Sequence, residues 1–134
     1  MADMTGTDGG RRLQPESVER GKRVLSLMQE RKLKLDEKKV NFLKGLPPMI
    51  MQNGLGQTIA YLQSKEGDYG DIVDIFKELF GYDKLMDTIL NMDVKKYSLR
   101  QKEAIEYAGW IKMFAQAMYD NKKTEAKDAD TIAK

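Results

Sequence analysis

The chain has 134 residues, 41% of them apolar and 33% charged, and a net charge of +2. A chain of that length fits one domain and can bury a core without help from a metal or a disulfide. It holds no cysteine and no histidine, which excludes zinc-finger, iron–sulfur and thiol-nucleophile sites and removes the usual proton carrier near neutral pH.

The small net charge conceals a polarity along the chain. Residues 1–66 sum to +4, 67–93 to −5 and 94–134 to +3, and residues 20–44 alone carry nine basic against three acidic side chains. Two readings fit this pattern: a polyanion on one side with a basic surface on the other, or solvated clusters without a partner.

In chain order, residues 1–13 are Gly-, Asp- and Thr-rich and are expected to be a disordered tail. They lack the apolar stretch of a secretory signal, and no segment reaches the roughly 18 apolar residues of a membrane span. A soluble, cytoplasmic protein is expected. The first helix begins at Pro15, with Glu16 and Glu19 complementing its dipole and Val18, Leu25 and Met28 at helical spacing to Lys32. A second starts at Asp36 as N-cap, turns Val40 and Leu43 inward and stops at Gly45 before Pro47 and Pro48.

The third helix runs from Pro48 to Gln63, with Met51, Leu55, Ile59 and Leu62 as its apolar stripe. Asn53, Gln57 and Tyr61 form a polar stripe opposite. Residues 64–70 read as a loop. Ile72, Ile75, Phe76 and Leu79 then mark an amphipathic helix closed by Gly81. Asp83 can cap a short helix holding Leu85, Met86, Ile89 and Leu90. Ser98 and Gln101 make a capping box for the last helix, which carries Tyr107, Ile111, Phe114 and Met118 inward to about Asn121. The polar end, 123–134, is expected to be a flexible tail. The fold class is therefore all-α: a single-domain bundle of about six helices over 14–122.

Two segments stand out. In Leu46 to Leu62, Gly54 and Gly56 interrupt a helical pattern at about 1 kcal/mol each relative to alanine. Either Gly54 caps a helix, or the small residues let a partner or a phosphate backbone approach. In Tyr107 to Tyr119, Trp110 is the single tryptophan; it is core or a stacking platform, and Lys112 edges the apolar face. The methionines either fill core gaps or make an adaptable surface. No phosphate loop, paired-carboxylate site or nucleophile elbow is present. Asp68, Asp71, Asp74 and Glu78 lack the alternation of a calcium loop.

These two segments resemble the small subunit of the type III-B CRISPR effector, the Cmr complex. The matching residues are Leu46, Pro47, Met49, Asn53, Gly54 and Leu55, followed by Trp110, Lys112, Phe114 and Ala115. The resemblance covers about residues 16–120. It implies a non-enzymatic helical protein without cofactor or metal, stacked in several copies beside the backbone filament. It further implies partners in the backbone and large subunits, in copies of itself, and in guide RNA and target RNA, whose groove it would line.

Such a complex leaves sequence reading to base pairing, so its proteins need only complementarity to the duplex backbone. The expected RNA-contacting residues are Arg20, Arg23, Lys38, Lys39 and Lys44 of the basic stretch, with Asn53 and Lys112 carried over from the motifs. The acidic 68–87 stretch would meet a basic face on the next copy or on the backbone subunit. The rival readings are a helical DNA-binding transcriptional regulator, using the Gly81 turn, and a protein-only helical adaptor.

Overall fold

The computed structural model describes residues 16–133, with side chains from 16 to 127; the expected N-terminal tail lies outside the described residues. Within them the chain forms seven helices: α1 Glu16–Glu30, α2 Glu37–Lys44, α3 Leu46–Asn53, α4 Leu55–Ser64, α5 Glu66–Phe80, α6 Leu85–Leu90 and α7 Val94–Ala133. No described residue is in a strand. The all-α expectation holds, with one more helix than the sequence suggested.

The long α7 organises the bundle. α1, α2 and α3 pack directly against it, while α4 pairs with α5 and α6. α7 buries Ala104, Tyr107, Ala108, Ile111 and Ala115, and the three alanines let the shorter helices approach closely. Around them lie Met28, Leu43, Leu46, Ile50, Leu55, Ile59, Leu62, Ile72, Ile75 and Phe76, all fully enclosed.

α1 buries Gly21, Val24 and Met28, whereas Val18 and Leu25 are only half-buried. Gly21 is the tight point. A Cβ there would lie 2.8 Å from the indole of Trp110, which in turn stacks on Phe114 with centroids 5.4 Å apart. Trp110 is thus a half-buried packing residue clamped between α1 and its own helix.

α1 closes with Lys32 at φ 50. The Lys32 N–H reaches the Gln29 carbonyl and the Leu33 N–H the Met28 carbonyl, at 3.2 and 3.5 Å. This is the Schellman closure, made without the usual glycine. At the end of α5, Gly81 does the same job at φ 72, as its position predicted.

The expected third helix is two. Gly54 has φ 88 and ψ 159, a conformation that only glycine adopts readily, and it separates α3 from α4. The break changes which face is covered: α3 buries Leu46 and Ile50, while Met51, expected inside, is 66% exposed.

Residues 66–70, expected as loop, are helical. The Lys65 carbonyl accepts the N–H groups of Asp68 and Tyr69 at 2.9 and 2.8 Å, and the burial of Tyr69 holds this turn in place despite Gly67 and Gly70. α7 starts before Ser98, because the Asp93 carboxylate accepts the Lys96 N–H at 2.8 Å. It also continues past Asn121. The Gln116 amide and the Thr124 hydroxyl both donate to Asp120, at 2.9 and 3.0 Å, and Lys123 lies 5.3 Å from the centre of the Tyr119 ring.

Candidate nucleic-acid interface

The cations of the 20–44 stretch divide into two groups. In the first, Arg20 leans from α1 onto α7, where its guanidinium donates to Glu106 at 2.6 Å and to Glu103 at 3.4 Å, with Glu16 at 3.3 Å on its own helix. Burial works against its charge, but the Glu106 hydrogen bond and the three carboxylates outweigh that, and its pKa is raised. Arg23 donates to the carbonyls of Leu79 and Glu78 at 3.3 and 3.2 Å, where a cation satisfies the exposed C-terminal end of α5. Arg31 sits 3.7 Å from both Asp74 and Glu78. Lys39, with only 11% of its side chain exposed, is paired with Asp71.

The acidic helix expected to face a neighbouring subunit is therefore matched largely from within. Arg31, just past the end of α1, and Lys39 of α2 supply the counter-charges to Asp74, Glu78 and Asp71. Arg20, Arg23 and Lys39, expected at RNA, each have partners within the fold, and apart from Glu16 these lie 32 to 86 residues away, where no local pattern announces them.

In the second group, Lys38 and Lys44 are exposed on α2, and neither has a partner among the described residues. Lys112 is half-buried on the flank of α7, and Asn53 is exposed as the last residue of α3; they too have no side-chain partner there. The four lie on three helices, α2 and α3 both packing on α7, with Asn53 next to Gly54 at the Tyr97 and Gln101 end of α7 and Lys112 farther along the same helix. Lys38 and Lys39 also line a hollow of about 170 Å³ with Lys34, Asp36, Gly67, Asp68 and Tyr69.

Beside that hollow is a feature the sequence did not reveal. Phe42 of α2 stacks on Tyr69 of α5 with centroids 4.1 Å apart, and on Tyr61 of α4 at 5.9 Å, both nearly parallel. Burial, then Asp68, Tyr61 and Asp36, push the pKa of the Tyr69 phenol up. The three rings come from three helices, so no spacing rule could have grouped them.

The glycine-rich corner is settled by α7. The Gly54 carbonyl accepts both the N–H and the hydroxyl of Thr58, at 3.1 and 2.8 Å. The Leu55 N–H donates to Gln101 Oε1 at 3.0 Å and the Gly56 N–H to the Tyr97 hydroxyl at 2.9 Å. Gly54 has no side chain with which to cap α4, and α7 provides the cap in its place. Gln101 was expected to close a capping box at the start of its own helix; it serves another helix instead.

Among the described residues no three acidic side chains are grouped to hold a metal ion, and no described helix is long and apolar enough to cross a membrane. The Gly81 turn leads into α6, six residues flanked by Asp83 and carrying Asp87, too short and too acidic to enter a major groove.

Residues 16–118 match the family described as CRISPR-associated protein (Cas_Cmr5). The chain belongs to that family. A curated relative from Thermotoga maritima, named CRISPR system Cmr subunit Cmr5, is 28% identical over 116 residues, spanning 81% of this chain and 88% of the relative. No solved structure matches. The Cas_Cmr5 region takes in α1 to α6 and α7 as far as Met118, so the rest of α7 lies beyond it. Several of its motif residues have packing roles in this fold. Leu46 and Leu55 are core, Pro47 sits in the first turn of α3, Gly54 is the helix break and Trp110 is the clamp on α1. Lys112 and Asn53 are the polar motif residues left without an internal role.

Proposed function

We propose that this Cas_Cmr5-family chain is a non-catalytic small subunit of a type III-B Cmr ribonucleoprotein in the cytoplasm. It stacks in several copies beside the backbone filament, next to the large subunit, and lines the groove in which guide RNA pairs with target RNA. The carrying observation is the family match over 16–118. The lysines that no carboxylate neutralises, Lys38, Lys44 and Lys112, together with the exposed Asn53, supply a chemistry suited to phosphates and to no particular base. Arg20, Arg23 and Lys39, with partners inside the fold, are the remaining basic candidates for this contact.

Two experiments test this. Native purification with sequencing of bound RNA should return repeat-derived guides together with backbone subunits; a preparation free of both would refute the assignment. Within the assembled complex, replacing Lys38, Lys44 and Lys112 with alanine should weaken target RNA equally for unrelated guides. Each lost phosphate contact should flatten the log–log salt slope by roughly 0.7 to 0.9. Unchanged affinity in the triple variant would place the groove on another face.

A further inference from the structure

We propose that Tyr61 is a stacking platform for an unpaired base of single-stranded RNA, with the flanking phosphates held by Lys38 and Lys65. This rests on the RNA-contact reading above and adds to it a contact with the face of a base.

Gln57 and Tyr61 on α4 and Lys65, the residue just after its end, follow one another at four-residue spacing, and all three are exposed. Tyr61 is 42% exposed, and its hydroxyl has no partner among the described residues. A half-exposed ring of this kind usually swings freely and loses rotamer entropy when it binds. Here the inner side of the ring is held by Phe42, which is itself stacked on the buried Tyr69. The ring is thus backed on one side before any ligand arrives, which reduces the entropy cost of association.

The surrounding charges favour a nucleotide. Lys38 lies one turn before Phe42 on α2 and Lys65 one turn after Tyr61, and both are exposed without a partner among the described residues. An aromatic face between cations is the arrangement that binds single strands without reading sequence. Asp36 and Asp68 are near enough to act on Tyr69, and Lys38 lines the hollow they share with it, so the anionic backbone belongs beside Tyr61, between Lys65 and the Lys38 edge of that hollow, and not over Tyr69.

Anisotropy measurements with the full chain at low salt test the proposal on three labelled probes: oligouridylate, an abasic oligomer with the same number of phosphates, and an RNA duplex. Tyr61→Ala should weaken oligouridylate about five- to tenfold, the lower part of the range for base–aromatic stacking. It should leave the abasic oligomer and the duplex unchanged. Tyr61→Phe should bind as the parent does, and far-ultraviolet circular dichroism should show equal helix content throughout. Lys38→Ala and Lys65→Ala should weaken both single-stranded probes and each flatten the salt slope by roughly 0.7.

If Tyr61→Ala binds oligouridylate normally, or loses the abasic oligomer equally, stacking is overturned while the lysine contacts stand. Loss of a Cmr subunit from the Tyr61→Ala protein with RNA binding intact would also overturn it, and would assign the ring to a protein contact. If the parent binds none of the probes at any salt, both this proposal and the RNA-contact reading fail for the isolated chain's surface.

Discussion

The indole of Trp110 lies so close to Gly21 that a single added carbon on Gly21 would come within 2.8 Å of the ring. Two effects compete when Gly21 becomes alanine. Helix propensity favours alanine by about 1 kcal/mol, while overpacking against a ring costs about 1 to 3 kcal/mol. Trp110 is held by Phe114 on its other side, so the clash should win. Gly21→Ala is expected to lower stability by about 1 kcal/mol in urea denaturation, with a shifted tryptophan emission maximum. A more stable variant would mean that the indole can move aside.

The corner at Gly54 offers a sharper contrast. Gly54→Ala must hold an alanine at φ 88 with its Cβ 3.1 Å from the Tyr97 hydroxyl, and about 2 to 3 kcal/mol of stability should be lost to that strain. Gln101→Ala should cost about 1 kcal/mol, the usual value of a helix cap. Gln101→Glu keeps an acceptor at the Leu55 N–H and adds a charge that suits a helix N-terminus, so it should be close to the parent. Equal losses from the alanine and glutamate variants would show that the cap is not what Gln101 contributes.

At the end of α1 the opposite change is favourable. Lys32 occupies a left-handed conformation, φ 50, that costs a side-chain-bearing residue about 1 kcal/mol relative to glycine. Lys32→Gly should raise the thermal midpoint, with part of the gain offset by the greater freedom of glycine in the unfolded chain. Differential scanning calorimetry of the pair measures the balance; a lower midpoint would show that the Lys32 side chain is worth more than the backbone strain.

Lys39 has the least exposed side chain of any ion pair among the described residues, and the second oxygen of its partner Asp71 is buried without a partner there. Removing Lys39 alone would strand that carboxylate in the core margin. Lys39→Ala should therefore destabilise by about 1 to 3 kcal/mol, below the 3 to 5 typical of fully buried pairs because Asp71 is partly wet. Lys39→Ala combined with Asp71→Ala should recover part of the loss. A strictly additive double variant in a denaturant cycle would show that the two side chains do not interact.

Sequence periodicity carried the parts of this fold that depend on one helix at a time. Ile72, Ile75, Phe76 and Leu79 turn inward as their spacing demands, and Gly81 ends α5 as a left-handed glycine should. What escaped was set by contacts between helices. Gly54 sits in a stretch whose apolar residues keep phase across the break, so the pattern runs on where the backbone does not. Gln101 looked like a cap for its own helix, because Ser98 precedes it by the right interval, yet Asp93 already caps α7. The surroundings of the basic residues were hidden in the same way. Lys38 and Lys39 are neighbours in sequence, and only the packing of α2 on α5 tells which is bound to Asp71 and which points to water.

The loan of a cap from α7 to α4 also bears on the order in which the bundle forms. The amides of Leu55 and Gly56 cannot be satisfied by their own helix and find acceptors only 46 and 41 residues along the chain. α4 is thus incomplete until α7 docks, a long-range closure that ties the middle of the domain to its last helix in one cooperative unit. Slow amide exchange at those two positions reports on the integrity of the whole bundle, and their early exchange would mark the moment α7 lets go.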